Sequence, residues 1–287
     1  MAKIIGGLGT SHIPAIGGAI HKGLQQEPYW KPFFDGYPPI QRWLAETRPD
    51  TAVIFYNDHG LNFFLNSMPT FAVGAASTYT HADEGWGIPV SAPVAGDPEL
   101  SWRIIDNVMA SGFDLTMCQE MLIDHAVTIP LQLLWPDAET PPIRIVPIHI
   151  NSIQHPLPSP QRCYALGQAV GDAIRKMDDG RRVVVIGSGG LSHQLDGARA
   201  GFLNPAFDRL CLDKLTKTPE ALACYSTADL IELAGSQGVE LITWLAMRGA
   251  LQRPTELHRN YHVPISNTAG AALLLAEDAA APAEVAA

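Results

Sequence analysis

Four of the ten histidines in this chain sit just past, or at the end of, short apolar runs. His12 falls in GTSHIP, His59 in FYNDHG, and His193 in GSGGLSH after the run VVVIG. His149 closes a fourth run, Ile143–Ile150. A neutral imidazole binds borderline divalent ions, and it also exchanges a proton near neutral pH. If these runs are parallel strands of one open sheet, their carboxyl ends share a rim, where such sheets bind ligands. Several imidazoles then converge, a set suited to Fe(II) or Zn(II). The alternative is that each is an ordinary hydrogen-bonded loop residue, the commoner fate of a single histidine. The separations are long, and the chain holds neither HExxH nor a finger-like Cys/His pattern.

A carboxylate completes the candidate set. In GSQGVELITWLAMRGA, helical spacing puts Glu240 on one face with Trp244 and Met247. That face is apolar, and a buried carboxylate is costly unless a cation neutralises it. A metal is one such cation; the Arg248 guanidinium is another. Two histidines and one glutamate form the facial triad of non-heme Fe(II) oxygenases. Three open positions then remain, enough for a bidentate catecholate and dioxygen together.

The elements that must position these groups read as α/β. Strands are expected at Lys3–Leu8, Ala52–Tyr56, Thr70–Val73, Ile143–Ile150 and Val183–Ile186. The run VVVIG suits a strand buried on both faces. Helices are expected near 39–46, 98–111, 125–135, 160–177, 205–216 and 238–250. This pattern predicts one domain, residues 1–275, with a central, mostly parallel or mixed sheet flanked by helices. The Ala-rich stretch 276–287 reads as a frayed tail. The segment 75–97 is a long connection rich in Gly, Pro, Ser and Thr, the kind of loop that carries function. Gly187–Gly190 (GSGG) matches no nucleotide-binding fingerprint and reads as a tight turn presenting Ser192 and His193. His258 and His262, four apart, read as surface or interface residues, and His21 as solvated.

Composition narrows the classes. The chain has 287 residues, 47% of them hydrophobic and only 17% charged, with a net charge of -10. That excludes global disorder and a general nucleic-acid binder. The sparse charge points to surface covered by another subunit. Four cysteines without a CxxC read as reduced core thiols of a cytoplasmic protein. No segment reads as secretory or membrane-spanning.

Taken together, several segments resemble the catalytic subunits of class III extradiol ring-cleaving dioxygenases, the LigB-like superfamily. They are TSHIPAIG (10–17), FYNDHG (55–60), ADEGWG (82–87), IDHAVTIPL (123–131), GSGGLSHQLDGARAG (187–201) and GVELITWLAMRGA (238–250). The resemblance implies Fe(II) held by His12, His59 and Glu240, with no external reductant. It makes His193 the acid/base group, His125 a second histidine near the substrate oxygens, and His149 a non-ligand. Substrates in this branch are protocatechuate, gallate and methylated gallate. Their ring carboxylate needs donors opposite the metal, and Ser266, Asn267 and Thr268 in PISNTAG are the candidates. The alternative for those three is a turn or helix cap before AGAALLLA. Asn57 and Asp58 are candidates for orienting His59. Gallate dioxygenases of the family fuse a small helical region to the catalytic part. Its absence from this sequence implies a separate small α subunit, paired with the catalytic chain in a heterotetramer-type assembly. A non-enzymatic binding protein on the same fold and a zinc hydrolase are the contrasting readings.

Overall fold

A computed structural model describes residues 2–85, 87–263 and 268–277. The chain begins β1 (Lys3–Thr10), α1 (Pro14–His21), α2 (Lys31–Phe34), α3 (Pro38–Thr47), β2 (Thr51–Tyr56), β3 (Phe71–Gly74), β4 (Thr78–His81), β5 (Val94–Ala95) and α4 (Pro98–Ala110). It continues β6 (Thr116–Cys118), β7 (Leu122–Ile123), α5 (His125–Leu134), β8 (Arg144–Ile150), α6 (Pro160–Arg175) and β9 (Arg182–Ser188). It ends α7 (Pro205–Lys217), α8 (Pro219–Ala223), α9 (Thr227–Ala234), α10 (Leu241–Gly249), β10 (Pro254–His262) and β11 (Gly270–Glu277).

Eight strands form one mixed sheet in the order β10-β11-β1-β9-β2-β8-β3-β6. Its centre, β1-β9-β2-β8, is parallel throughout. The carboxyl ends of these four strands therefore meet along one rim, as the histidine positions require. β11 adds antiparallel to β1, β10 to β11, and β3 to β8. A separate small sheet, β5-β4-β7, takes two of its strands, β4 and β5, from the segment that the sequence marks as a long loop.

Alternating side chains of the central strands feed two cores. Val183 and Val185 of β9 join α4, α6, α7 and α10 on one face. Val184 and Ile186 join α1, α2, α3 and α5 on the other. This double burial is why β9 reads as an unbroken apolar run.

The stretch around His258 and His262 is the edge strand β10, with His258 Nε2 bonded to the Gly36 carbonyl at 2.8 Å. Two expectations are corrected. The run AGAALLLA is the buried strand β11, not a helix. The cysteines are not all core: Cys163 and Cys211 are buried, Cys118 is half-buried and Cys224 is exposed. Among the described residues, no helix is long and apolar enough to cross a membrane.

Helix α10 is seated by glycines. A methyl on Gly9 would enter the Trp244 ring, and one on Gly187 would lie 2.7 Å from the Trp244 Cα. Across the next layer, a methyl on Gly167 of α6 would overlap the Ala246 carbonyl oxygen. At Gly171 it would come within 2.6 Å of the Ala250 carbonyl oxygen. The nearest neighbours of Gly167, Gly171 and Gly187 are backbone, which cannot rotate aside. Gly167→Ala is therefore expected to destabilise the protein by about 3 kcal/mol, the upper part of the overpacking range. A denaturant melt checks it; a midpoint equal to wild type would show that the two helices can part freely.

Candidate active site

The site is built on the shared rim. His12 stands two residues beyond β1 and His59 three beyond β2. The segment 189–193 leaves β9, and Glu240 ends the 3-10 turn Gly238–Glu240 that leads into α10. Glu240 is thus at the head of the helix rather than within it. Arg248 does not pair with it: the Arg248 guanidinium donates to the carbonyls of Leu215 (2.8 Å) and Leu251 (3.2 Å).

Hydrogen bonds fix which ring nitrogens face the site. Ser188 Oγ donates to the Ala126 carbonyl at 2.5 Å, so it can only accept from His12 Nδ1, 2.9 Å away. His59 Nδ1 lies 3.0 Å from Asp124 Oδ2, an acceptor only. Both rings therefore carry hydrogen on Nδ1 and turn Nε2 toward Glu240. His12 Nε2 is 3.5 Å from Glu240 Oε2, and His59 Nε2 is 3.7 Å from Oε1. Cis donors around a divalent ion with bonds of about 2.1 Å stand about 3 Å apart, so small inward shifts would complete three ligand bonds. Imidazoles anchored through Nδ1 to a carboxylate or hydroxyl are the usual form of metal-binding histidine.

Electrostatics agree with a cation site. Desolvation depresses the His59 imidazole, but its bonds to Asp124 and Glu240 outweigh that and raise it to about 10. Burial pushes the Glu240 carboxyl up, yet His12 and His59 hold it well below the usual range. The pocket favours positive charge between these groups, and a metal would displace the proton.

Glu240 is further held by Asn57 Nδ2 on Oε1 and Gly190 N–H on Oε2, both at 3.0 Å. Gly189 and Gly190 both have positive φ, 136° and 55°. A Cβ on Gly189 would lie 3.0 Å from Glu240 Oε2. The glycines of GSGG thus let the backbone close on the carboxylate, besides presenting Ser192 and His193. His193 Nδ1 donates to the Leu191 carbonyl at 2.8 Å, which leaves Nε2 as the available lone pair. His193 also bridges in strand fashion to Thr268.

One cavity of about 1030 Å³ gathers His12, His59, Glu240, His125, His193 and Asn57, with Thr268 also in its wall. The ring centroid of His125 is 4.1 Å from that of His59 and 5.2 Å from that of His12. Asn57 binds Glu240 and also approaches His59 Nε2 at 3.1 Å. The Asp58 carboxylate is taken up by the backbone N–H groups of Leu61, Asn62 and Phe63, so it shapes the loop after His59. Ser266 and Asn267 lie outside the described residues. His149 is buried away from the cavity; its Nδ1 accepts the Asp58 N–H at 2.9 Å, and burial lowers the ring to about 4.

Sequence reasoning assigned no role to three residues here. Asp124 holds His59 through both its ring and its backbone N–H, each at 3.0 Å. Ser188 holds His12, and Glu84 holds His125. Asp124 and Glu84 both lie inside quoted motifs, each close to a histidine in space but marked by nothing local.

Comparison with known proteins identifies the family. The family model described as the catalytic LigB subunit of aromatic ring-opening dioxygenase matches residues 6–271. A gallate dioxygenase of Pseudomonas putida is 38% identical over 205 residues, 71% of this chain and 60% of the relative. The chain thus covers less than two thirds of that protein. A 2,3-dihydroxyphenylpropionate/2,3-dihydroxicinnamic acid 1,2-dioxygenase of Rhodococcus jostii is 31% identical over 253 residues, covering 73% of this chain and 78% of the relative. An uncharacterized protein of Escherichia coli K12 shares the fold, with a TM-score of 0.54 at 15% identity over 94% of this chain and 99% of that one. With the match spanning nearly the whole described fold, this chain belongs to the family of catalytic LigB subunits of aromatic ring-opening dioxygenases.

Proposed function

We propose that this chain is an extradiol dioxygenase that opens the ring of a carboxylated catechol, with Fe(II) held by His12, His59 and Glu240. The observation that carries the reading is the convergence of two imidazole Nε2 atoms and one carboxylate, with His193 and His125 in the same cavity. The three residues bring one negative charge, which would leave a bound dication electrophilic toward phenolic oxygens. The chemistry Fe(II) supplies when bound is Lewis acidity toward two catechol oxygens and electron passage from ring to dioxygen, so no external reductant is required. His193 takes a hydroxyl proton at Nε2, because its Nδ1 is committed to the Leu191 carbonyl. It can return that proton as the product forms. Asn57 and Gly190 keep the Glu240 carboxylate oriented throughout.

Protocatechuate, cleaved between carbons 4 and 5, is the first substrate. Gallate or 3-O-methylgallate is the second, favoured by the likeness to a gallate dioxygenase. Thr268, with Ser266 and Asn267, is proposed to meet the ring carboxylate. A separate small α subunit is proposed to cover the cavity in an assembly of paired chains. At about 1030 Å³ the cavity reaches the top of the range of about 300–1,000 Å³ for small-molecule sites. A single-ring acid leaves much of that space free. Four free thiols and an oxidisable metal suit a cytoplasmic setting.

Oxygen uptake tests the reading. Protein reconstituted anaerobically with Fe(II) should consume one dioxygen per protocatechuate or gallate and form a yellow ring-opened product. Activity that appears only with a co-expressed small subunit would establish the partner as well. No uptake in either form, with iron-independent capture of a protein partner, would support a non-enzymatic role instead. Uptake unaffected by iron removal, or hydrolysis by the zinc form, would also overturn the proposal.

A further inference from the structure

The small sheet carries two chain segments into the cavity wall in step. β4 and β7 run parallel, with Thr80 opposite Leu122 and His81 opposite Ile123. The Ala82 N–H extends the ladder to the Ile123 carbonyl at 3.0 Å. Glu84 follows three residues beyond His81, and His125 follows two beyond Ile123. The two side chains meet there, 11% and 4% exposed.

Their contact is double. Glu84 Oε2 accepts the backbone N–H of His125 at 2.6 Å, and Oε1 accepts from His125 Nδ1 at 2.7 Å. A carboxylate has only acceptors, so Nδ1 carries the ring hydrogen. Nε2 is left as a lone pair on the side of the cavity. Glu84 is absent from the cavity wall itself, so any influence on substrate passes through His125.

We propose that Glu84 is the positioning residue of His125, fixing the ring's rotation and keeping Nε2 a hydrogen-bond acceptor for a hydroxyl of the bound catechol. The ring-cleavage reading supplies the identity of that hydroxyl; the tautomer of His125 does not depend on it. A purely structural role predicts something different. Position 125 opens α5, and its N–H has no acceptor within the helix, so a cap alone needs only one oxygen. The second oxygen, on Nδ1, serves the ring.

Glu84→Gln separates the two roles, because glutamine keeps the shape but offers one acceptor and one donor. The backbone N–H cannot change its polarity, whereas imidazole can move its hydrogen. The glutamine oxygen therefore stays on the backbone, and its NH2 faces Nδ1. The ring answers by moving its hydrogen to Nε2 and becomes a donor to the cavity. Long-range 15N–1H correlation on the metal-free full chain reads this tautomer, with the His125 signal assigned by its loss in His125→Gln. The expected result is Nδ1–H in the wild type and Nε2–H in Glu84→Gln. Glu84→Asp, which keeps two acceptor oxygens, should retain Nδ1–H. In the Fe(II)-loaded enzyme, Glu84→Gln should lower kcat about 100-fold, with KM and iron affinity within threefold of wild type.

An unchanged tautomer in Glu84→Gln overturns the proposal, whatever the rate. A reversed tautomer with kcat within threefold overturns it too, since the ring's polarity would then not matter to catalysis. If the wild type fails to cleave any catechol, the ring-cleavage reading falls. The tautomer comparison still decides whether Glu84 sets His125.

Discussion

Glu240→Gln should lower Fe(II) affinity more than about 100-fold, beyond the 10–100-fold typical of losing an outer partner of a ligand, and abolish ring cleavage. Glutamine removes the one negative charge among the three proposed ligands. It also presents an NH2 to either the Asn57 amide or the Gly190 N–H, where two acceptor oxygens now sit. Anaerobic metal titration of both proteins checks the affinity, with a thermal melt to confirm folding. Affinity within threefold of wild type would remove Glu240 from the ligand set. The metal would then be sought among His12, His59 and His125, whose ring nitrogens lie within 4.8 Å of one another.

His193→Ala should give the complementary result. His193 shares the cavity, but its Nδ1 is tied to its own loop, and neither of the two carboxylate contacts to His12 and His59 involves it. Iron content is therefore expected to stay at the wild-type level, while kcat falls about 1,000-fold, within the range for losing a general acid–base group. Metal analysis and single-turnover kinetics on the same preparation check both halves. Loss of iron in His193→Ala would make it a ligand, and full turnover would remove it from the chemistry.

The central strands were legible because burial on both faces leaves only apolar residues, as in VVVIG. Helices α3, α4, α6 and α7 were legible because each buries one stripe, and α5 because it is an apolar run buried on nearly every side; all five are punctuated by Pro, Asp or Ser at their start. The small sheet was not, since β4, β5 and β7 have two to four residues each and their pairing is long-range. β10 was missed because an edge strand in PTELHRNYH has no clean alternation, and β11 because AGAALLLA has helical composition. There, pairing with β1 and β10 overrides propensity. At the site, the resemblance marked His12, His59, Glu240, His193 and His125 by motif, and one cavity gathers all five. Their anchors were hidden: Asp124 is 65 residues from His59, and Ser188 is 176 from His12. No local pattern records a partner at that distance.

The glycine seating of α10 divides the protein into parts with different freedom to vary. The backbone contacts at Gly167, Gly171 and Gly187 hold the helix whose head carries Glu240, and the strand ends hold the two imidazoles. The cavity's outer wall comes from elsewhere, from the Lys22–Trp30 stretch, the Ser152–Leu157 loop and Leu195–Asp196. None of those stretches carries His12, His59 or Glu240. Directed evolution confined to those three stretches should therefore change which aromatic ring is accepted while leaving the oxygen chemistry intact, whereas libraries in α6 or α10 should mostly yield unfolded chains.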